Sequence, residues 1–182
     1  MISTAAIDEI RQLFEQHGKA AYYGEEVSQF QHAAQSGLLA EQQGFDKDTI
    51  LAAFLHDIGH LLPSDQAVDH MEGYGRKNHE LLAADWLLAR GFSAKTAALI
   101  ANHVNAKRYL VAKKEGYYEQ LSEASKQTLA FQGGKMEEQE AARFEQDPLF
   151  DQYIQMRYWD EAAKALDMTT PDLDYFLEMM RK

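Results

Sequence analysis

The chain has 182 residues, 46% of them apolar, which suits one globular domain spanning residues 1–182 rather than a disordered chain. It has no cysteine, which excludes disulfides, thiolate nucleophiles and Cys-based zinc or iron–sulfur sites and leaves imidazole and carboxylate as metal ligands. A formal net charge of −11 opposes nucleic acid and anionic membranes; with no apolar run of the roughly 18–20 residues that span a bilayer and no signal-like layout in residues 1–16, a cytoplasmic protein is expected.

Strand signals are scarce, prolines occur only at Pro63, Pro148 and Pro171, and long stretches carry helical apolar spacing, so an all-α bundle is expected. Thr4 is placed to cap a first helix that runs to about His17 and stops near Gly18. A second runs from about Glu25 to Gln43, with Gly44 past its end. Asp46 caps a third, whose Ile50, Leu51, Ala53, Phe54 and Leu55 are nearly continuous; it reads as central and buried, and it ends around Gly59 and His60, ahead of Pro63. After a loop at residues 72–75, a fourth helix covers about Lys77 to Ala89, with Gly91 as its stop. Ser93 caps a fifth, which passes through His103 and has the pattern to reach Lys114. Ser122 opens a sixth that closes at Gly133 and Gly134. Residues 136–146 and 148–165 read as two more, and Thr170 followed by Pro171 caps a last helix ending in Arg181 and Lys182.

Five of the seven histidines are informative: His32, His56, His60, His79 and His103. His17 and His70 lie in polar stretches and are given no role. His32 sits among Phe30, Ala33 and Ala34, His56 and Asp57 end the most apolar helix, His79 opens the fourth, and His103 ends the fifth. A single buried histidine is more often a hydrogen-bonded core residue than a ligand. Four on four different helices can converge on one interior point, as in metal-binding bundles, and a cation relieves the several kcal/mol that each unpartnered buried ionisable group costs. Lys107 follows His103 by one helical turn, Ser125 and Gln132 are seven apart, and Arg157 precedes Asp160 by three; if those helices continue, each pair shares a face. By spacing alone, solvent exposure is the default for Lys107, Ser125 and Gln132, and a simple ion pair with Asp160 accounts for Arg157.

His32, the His56–Asp57 dipeptide and the distant Asp160 resemble the pattern of the HD-domain superfamily, and His79 and His103 match the added histidines of its dinuclear members. Further segments resemble the PhnZ-like oxygenases of that superfamily, from about Tyr22 to Lys164: Tyr22-Tyr23-Gly24-Glu25, His79-Glu80, His103-Val104-Asn105-Ala106-Lys107-Arg108-Tyr109-Leu110, Ser122-Glu123-Ala124-Ser125, Gln132-Gly133-Gly134 and Trp159-Asp160-Glu161. The resemblance implies an HD-domain helical bundle in which His32, His56, Asp57, His79, His103 and Asp160 hold two iron ions as a mixed-valent Fe(II)/Fe(III) pair, with Asp57 bridging. It implies O2 and a small zwitterionic organophosphonate as partners: 2-amino-1-hydroxyethylphosphonate, cleaved at its C–P bond to glycine and phosphate. Lys107, Ser125 and Gln132 would bind the phosphonate, with His60 and Arg157 as further substrate contacts. Glu25 would hold the amine, and Tyr22 would gate one iron until substrate displaces it.

A primary ammonium offers Glu25 three donors, whereas a trimethylammonium offers none and prefers aromatic faces. Tyr22 and Tyr23 keep the trimethylated 1-hydroxyphosphonate open as an alternative. Glu25 would equally suit the first turn of its helix, where the macrodipole favours a carboxylate, and His60 a packing role. An HD phosphohydrolase would use the same ligands to activate a metal-bound water.

Overall fold

A computed structural model describes residues 1–63 and 71–182; His70 lies outside them. The expected all-α bundle forms, and no strand occurs among the described residues. Its order is α1 (Thr4–His17), α2 (Gln29–Gln42), α3 (Lys47–Leu55), a short 3-10 turn (Ile58–His60), α4 (His79–Leu88), α5 (Ala94–Lys113), α6 (Tyr117–Gln120), α7 (Glu123–Phe131), α8 (Glu138–Phe144), α9 (Phe150–Ala162) and α10 (Leu173–Arg181).

The centre of the bundle is α3, in which every residue from Thr49 to Leu55 is buried, as its all-round apolar sequence requires. It packs on α2 and α5; α5 in turn packs on α4 and α9, and α2 meets α9. Phe54 of α3 stacks flat on Phe176 of α10 at 4.1 Å and leans on Phe14 of α1 at 5.0 Å. That aromatic cluster lies close to the ionisable residues, since Phe54 is two residues before His56 on α3. Among the described residues no helix is long and apolar enough to cross a membrane.

Among the boundaries that differ from the sequence-based expectation, such as the end of α3 at Leu55 ahead of a separate 3-10 turn, three helix starts differ for a capping reason. Ser3, not Thr4, caps α1 by accepting from the Ala6 amide. The second helix starts at Gln29 rather than near Glu25, because Ser28 and Gln31 form a reciprocal capping box. Residues 21–28 are instead a tight loop, closed by an antiparallel bridge between Ala21 and Ser28, and Gly24 turns it at φ +74°. Glu25 is therefore not a first-turn helix residue. Asp172, not Thr170, caps α10 by accepting from Tyr175. The one-turn α6 was not expected at all; it buries Tyr117 against Leu110 and Leu121.

Gly59 shows how tightly the site is assembled. A Cβ there would lie 2.0 Å from the backbone oxygen of His79, so the glycine lets the 3-10 turn touch the start of α4. Gly59→Ala is expected to cost about 1–3 kcal/mol or more through overpacking and to lower Tm by about 2–4 °C per kcal/mol. A melting curve superimposable on wild type would show that the contact is not tight.

Candidate active site

Six side chains from five parts of the chain meet in the interior of the bundle. His32 comes from the middle of α2, His56 caps α3, Asp57 follows it, His79 is the first residue of α4, His103 lies mid-α5 and Asp160 lies on α9. All six are buried, none more than 8% exposed. The helix α5 runs on to Lys113, so His103 is not at its end and Lys107 does sit one turn further on the same face.

The two oxygens of Asp57 divide the histidines between them. Oδ1 lies 3.0 Å from His79 Nε2 and 3.5 Å from His103 Nε2. Oδ2 lies 3.5 Å from His56 Nε2 and 3.6 Å from His32 Nε2. On the Oδ2 side Asp160 Oδ1 adds a further donor, 3.3 Å from His32 Nε2. Two adjoining donor sets result, one of four groups and one of three, with Asp57 common to both.

Each of these imidazoles has the same orientation. Nδ1 faces a backbone carbonyl: Ala163 for His32 at 2.9 Å, Ala53 for His56 at 2.8 Å, Arg76 for His79 at 3.1 Å and Ile100 for His103 at 2.7 Å. A carbonyl only accepts, so Nδ1 carries the proton and each neutral ring turns an Nε2 lone pair inward. These lone pairs meet as His32 against His56 and His79 against His103, both at 3.1 Å. Facing lone pairs at that distance repel unless a cation lies between or beside them.

Protons alone serve the cluster poorly. Burial opposes a charge on His56, but Asp57 and Asp160 outweigh it and push its pKa up to about 9. Burial, with His56 and His79 adding to it, pushes His103 down to about 3, so it stays neutral. Burial would raise Asp57, yet His56, His79 and His60 hold it well below the usual carboxylate range. Asp160 is likewise held low against burial, chiefly by Arg157. Ionised Asp57 and Asp160 among four imidazoles whose Nε2 atoms turn inward fit divalent or trivalent metal ions, and three overlapping trios, His32/His56/Asp57, His56/His103/Asp160 and Asp57/His79/His103, bring their ligand atoms within 4.8 Å of one another.

His60 has the opposite tautomer. Its Nδ1 accepts from the Arg76 amide at 3.0 Å, so in the neutral ring the proton is on Nε2, 4.0 Å from Asp57 Oδ1. Burial and the neighbouring His79 keep its pKa well below normal, hence the ring neutral. His60 offers the site an N–H, not a lone pair, although its residue type and spacing match the other histidines.

Above the cluster lies a small cavity of about 50 Å³. The other sequence-predicted residues, Tyr22, Glu25, His60, Lys107, Ser125, Gln132 and Arg157, all line it. Tyr22 donates to Asp57 Oδ2 at 2.8 Å and stacks on His32 at 3.8 Å, so it covers the Oδ2 side of the cluster. Burial and the adjacent Asp57 push its phenol well above the normal range, so it remains a donor.

The charges around the cavity are unevenly compensated. Arg157 is spent on carboxylates: it binds Asp160, which orients that side chain, and its Nε reaches Glu161 at 2.8 Å. One remaining nitrogen approaches Ser125 Oγ at 3.3 Å. Lys107 is 3% exposed and has no carboxylate partner among the described residues. It donates to Thr128 Oγ1 at 2.9 Å and, more weakly, to the Ser125 carbonyl. Burial and then Arg157 push its pKa down to about 7. Gln132 is the C-cap of α7 rather than an internal helix residue, and its Oε1 is buried without a hydrogen bond. A lone buried ammonium beside an unsatisfied amide oxygen and a hydroxyl describes a place for an anion with a protonated or hydroxyl oxygen.

Sequence reasoning missed Thr128, Tyr117, Glu161 and Lys164. Thr128 holds Lys107 and is three residues from Ser125 on the same helix. Tyr117 and Glu161 hold Arg157; Glu161 follows it by four, a helical pair that spacing could have revealed. Of Glu80 and Asn102, near the histidines in sequence, Glu80 places Oε2 3.4 Å from His79 Nδ1, beside the Arg76 carbonyl that this nitrogen meets, and Asn102 binds Ala98 and Asn105 instead.

Comparison with known proteins identifies the family. Residues 29–143 match the HD domain family, and the chain belongs to it. Within that family it is related over most of its length to phosphonate dioxygenases. A [1-hydroxy-2-(trimethylamino)ethyl]phosphonate dioxygenase (glycine-betaine-forming) of Leisingera caerulea is 39% identical over 93% of this chain and 86% of its own. The hydroxymethylphosphonate dioxygenase of Gimesia maris is 36% identical over 91% of this chain and 81% of its own. The uncharacterized protein L432 of Acanthamoeba polyphaga mimivirus is 44% identical over 96% of this chain and 80% of its own.

Proposed function

We propose that the protein is an O2-dependent diiron oxygenase that cleaves the C–P bond of 2-amino-1-hydroxyethylphosphonate, giving glycine and phosphate. The observation that carries this reading is Asp57, whose two oxygens serve two separate histidine sets directly beneath a cavity holding an unpaired buried lysine. His32, His56, Asp160 and Asp57 Oδ2 would hold one iron; His79, His103 and Asp57 Oδ1 would hold the other. Iron in mixed valence supplies the activation of O2, chemistry that no side chain of this chain can perform. Both atoms of O2 are accounted for, since substrate plus O2 equals glycine plus phosphate.

The rest of the work falls to the cavity wall. Lys107 neutralises the phosphonate, Ser125 and Arg157 Nη2 hydrogen-bond its oxygens, and Gln132 Oε1 takes a hydrogen from a phosphonate or substrate hydroxyl. The N–H of His60 is directed toward the side where Asp57 Oδ1 lies. Tyr22 would have to leave Asp57 for substrate to reach the Oδ2 side of the cluster, because its hydroxyl occupies that oxygen and its ring lies on His32. Glu25 offers its carboxylate to the amine end. Covering the Oδ2 side with Tyr22 until substrate arrives would also keep oxygen from reacting before substrate is in place.

The competing hydrolytic reading uses the same ligands and needs no O2. Iron-loaded protein given the aminohydroxyphosphonate is expected to release phosphate and glycine in air and none under argon. Equal phosphate release under argon would replace the oxygenase by a hydrolase.

A further inference from the structure

Lys164 is absent from the motifs that define the site, yet it lines the cavity. Its Nζ binds Glu25 Oε1 at 2.6 Å and Ser122 Oγ at 3.2 Å. The two side chains are 18% and 16% exposed, so the pair is largely removed from water. The lysine is also aimed. On one side of it, the Ala163 carbonyl accepts from His32 Nδ1. On the other, the backbone of Ala165 is clamped by both ends of the Gln35 amide, at 2.7 and 3.0 Å. The turn after α9 is thus pinned to α2 on both flanks, and the side chain between the two pins crosses to the 21–28 loop. That loop rests on α7, where a Cβ at Gly24 would meet Ala124 at 3.1 Å.

Glu25 is therefore not a vacant acceptor. Its carboxylate already holds a primary ammonium, and a second cation cannot join without like charges meeting in a confined space. We propose that Lys164 is a specificity-determining residue, occupying on Glu25 the position that a substrate's own primary ammonium takes. The exchange is like for like: one N–H···O bond to a carboxylate is broken and one is made, and the released Lys164 keeps Ser122. A trimethylammonium has no N–H to give in return, so it would break the Lys164 bond without replacing it. A substrate with no amine leaves the pair closed. Lys164 thereby sets a threshold that each tail must overcome, and tail chemistry is what distinguishes the substrates in the relatives' names.

This inference rests on the phosphonate oxygenase reading, and its test separates the two. The ratio of kcat/KM for 2-amino-1-hydroxyethylphosphonate to that for hydroxymethylphosphonate is measured in wild type, Lys164→Met and Glu25→Gln/Lys164→Met. With its competitor gone, the partly buried Glu25 attracts the substrate ammonium, and Lys164→Met is expected to raise the ratio by about tenfold or more. Adding Glu25→Gln should abolish the gain. Lys164→Gln, uncharged yet able to keep Ser122, should reproduce the rise and serves where the methionine variant does not fold. An unmoved ratio, with both substrates weakened equally, would make Lys164 structural and overturn the proposal, as would a gain that survives Glu25→Gln. Turnover of neither phosphonate by wild type would instead overturn the function on which the inference stands.

Discussion

Asp57→Asn is expected to reduce bound metal from two ions per chain to one or fewer, while circular dichroism stays that of the wild type. The expectation follows from the division of the Asp57 oxygens between two histidine sets 3.0–3.6 Å away. An amide presents one oxygen and one N–H donor, so one set faces a donor where it needs a negative ligand. Helix packing does not depend on the carboxylate, since α2, α3 and α5 are joined by the apolar core around Phe54, Leu51 and Ile100. Removing one partner from a buried ionic cluster typically costs about 3–5 kcal/mol, so turnover should fall by roughly 10²–10⁴-fold. Elemental analysis of the purified variant is the deciding measurement. Two retained metal ions would show that Asp57 does not bridge.

Lys107→Met should leave both metals in place and strike substrate binding instead. The ammonium is buried with only Thr128 and a weak carbonyl contact as partners, so its charge is unspent until an anion arrives. Truncating one side of such a buried charge pair costs about 2–5 kcal/mol, or roughly 30- to 5,000-fold in kcat/KM. Its pH dependence gives a second signature. Lys107 holds its proton below pH about 7 and loses it above, and only the protonated form holds a phosphonate. The wild-type kcat/KM, which reports groups of the free enzyme, should therefore decline as pH rises through 7. Lys107→Arg keeps its charge across this range, so its profile should stay flat there even if its absolute rate is lower. A methionine variant within threefold of wild type would remove Lys107 from the substrate site.

The two predictions separate the layers of the site. In the lower layer His32 and His56 lie away from the cavity while Asp57, His79, His103 and Asp160 border it, and these six would hold metal; the rest of the cavity wall would meet the substrate's anionic and cationic ends. Arg157 joins the two, since its guanidinium fixes Asp160 below while one nitrogen reaches Ser125 above. The ambiguity between a substrate contact and a structural pair thus has a mixed geometric answer: most of Arg157 is engaged with carboxylates, and one N–H remains for the cavity.

The sequence by itself determined the helical class and many helix limits, from local signals: apolar periodicity, a cap such as Ser93 and a stop such as Gly44. Its resemblance to the HD-domain superfamily named the six converging residues, Asp160 among them. Where local signals competed, as between Glu25 and the Ser28–Gln31 capping box, the side chain with the better hydrogen bonds set the start of α2, and Glu25 moved from a helix into a loop. Only the tertiary structure decided what each residue does with its lone pairs and charge. Nothing near His60 in sequence distinguishes it from the other four histidines; its tautomer is reversed because the amide that meets its Nδ1 comes from Arg76, sixteen residues on. Glu25 and Lys164 are 139 residues apart, and their pairing exists only because the turn after α9 is pinned to α2. Proton positions and ion pairs depend on which groups are adjacent in three dimensions, a property that spacing along the chain does not carry.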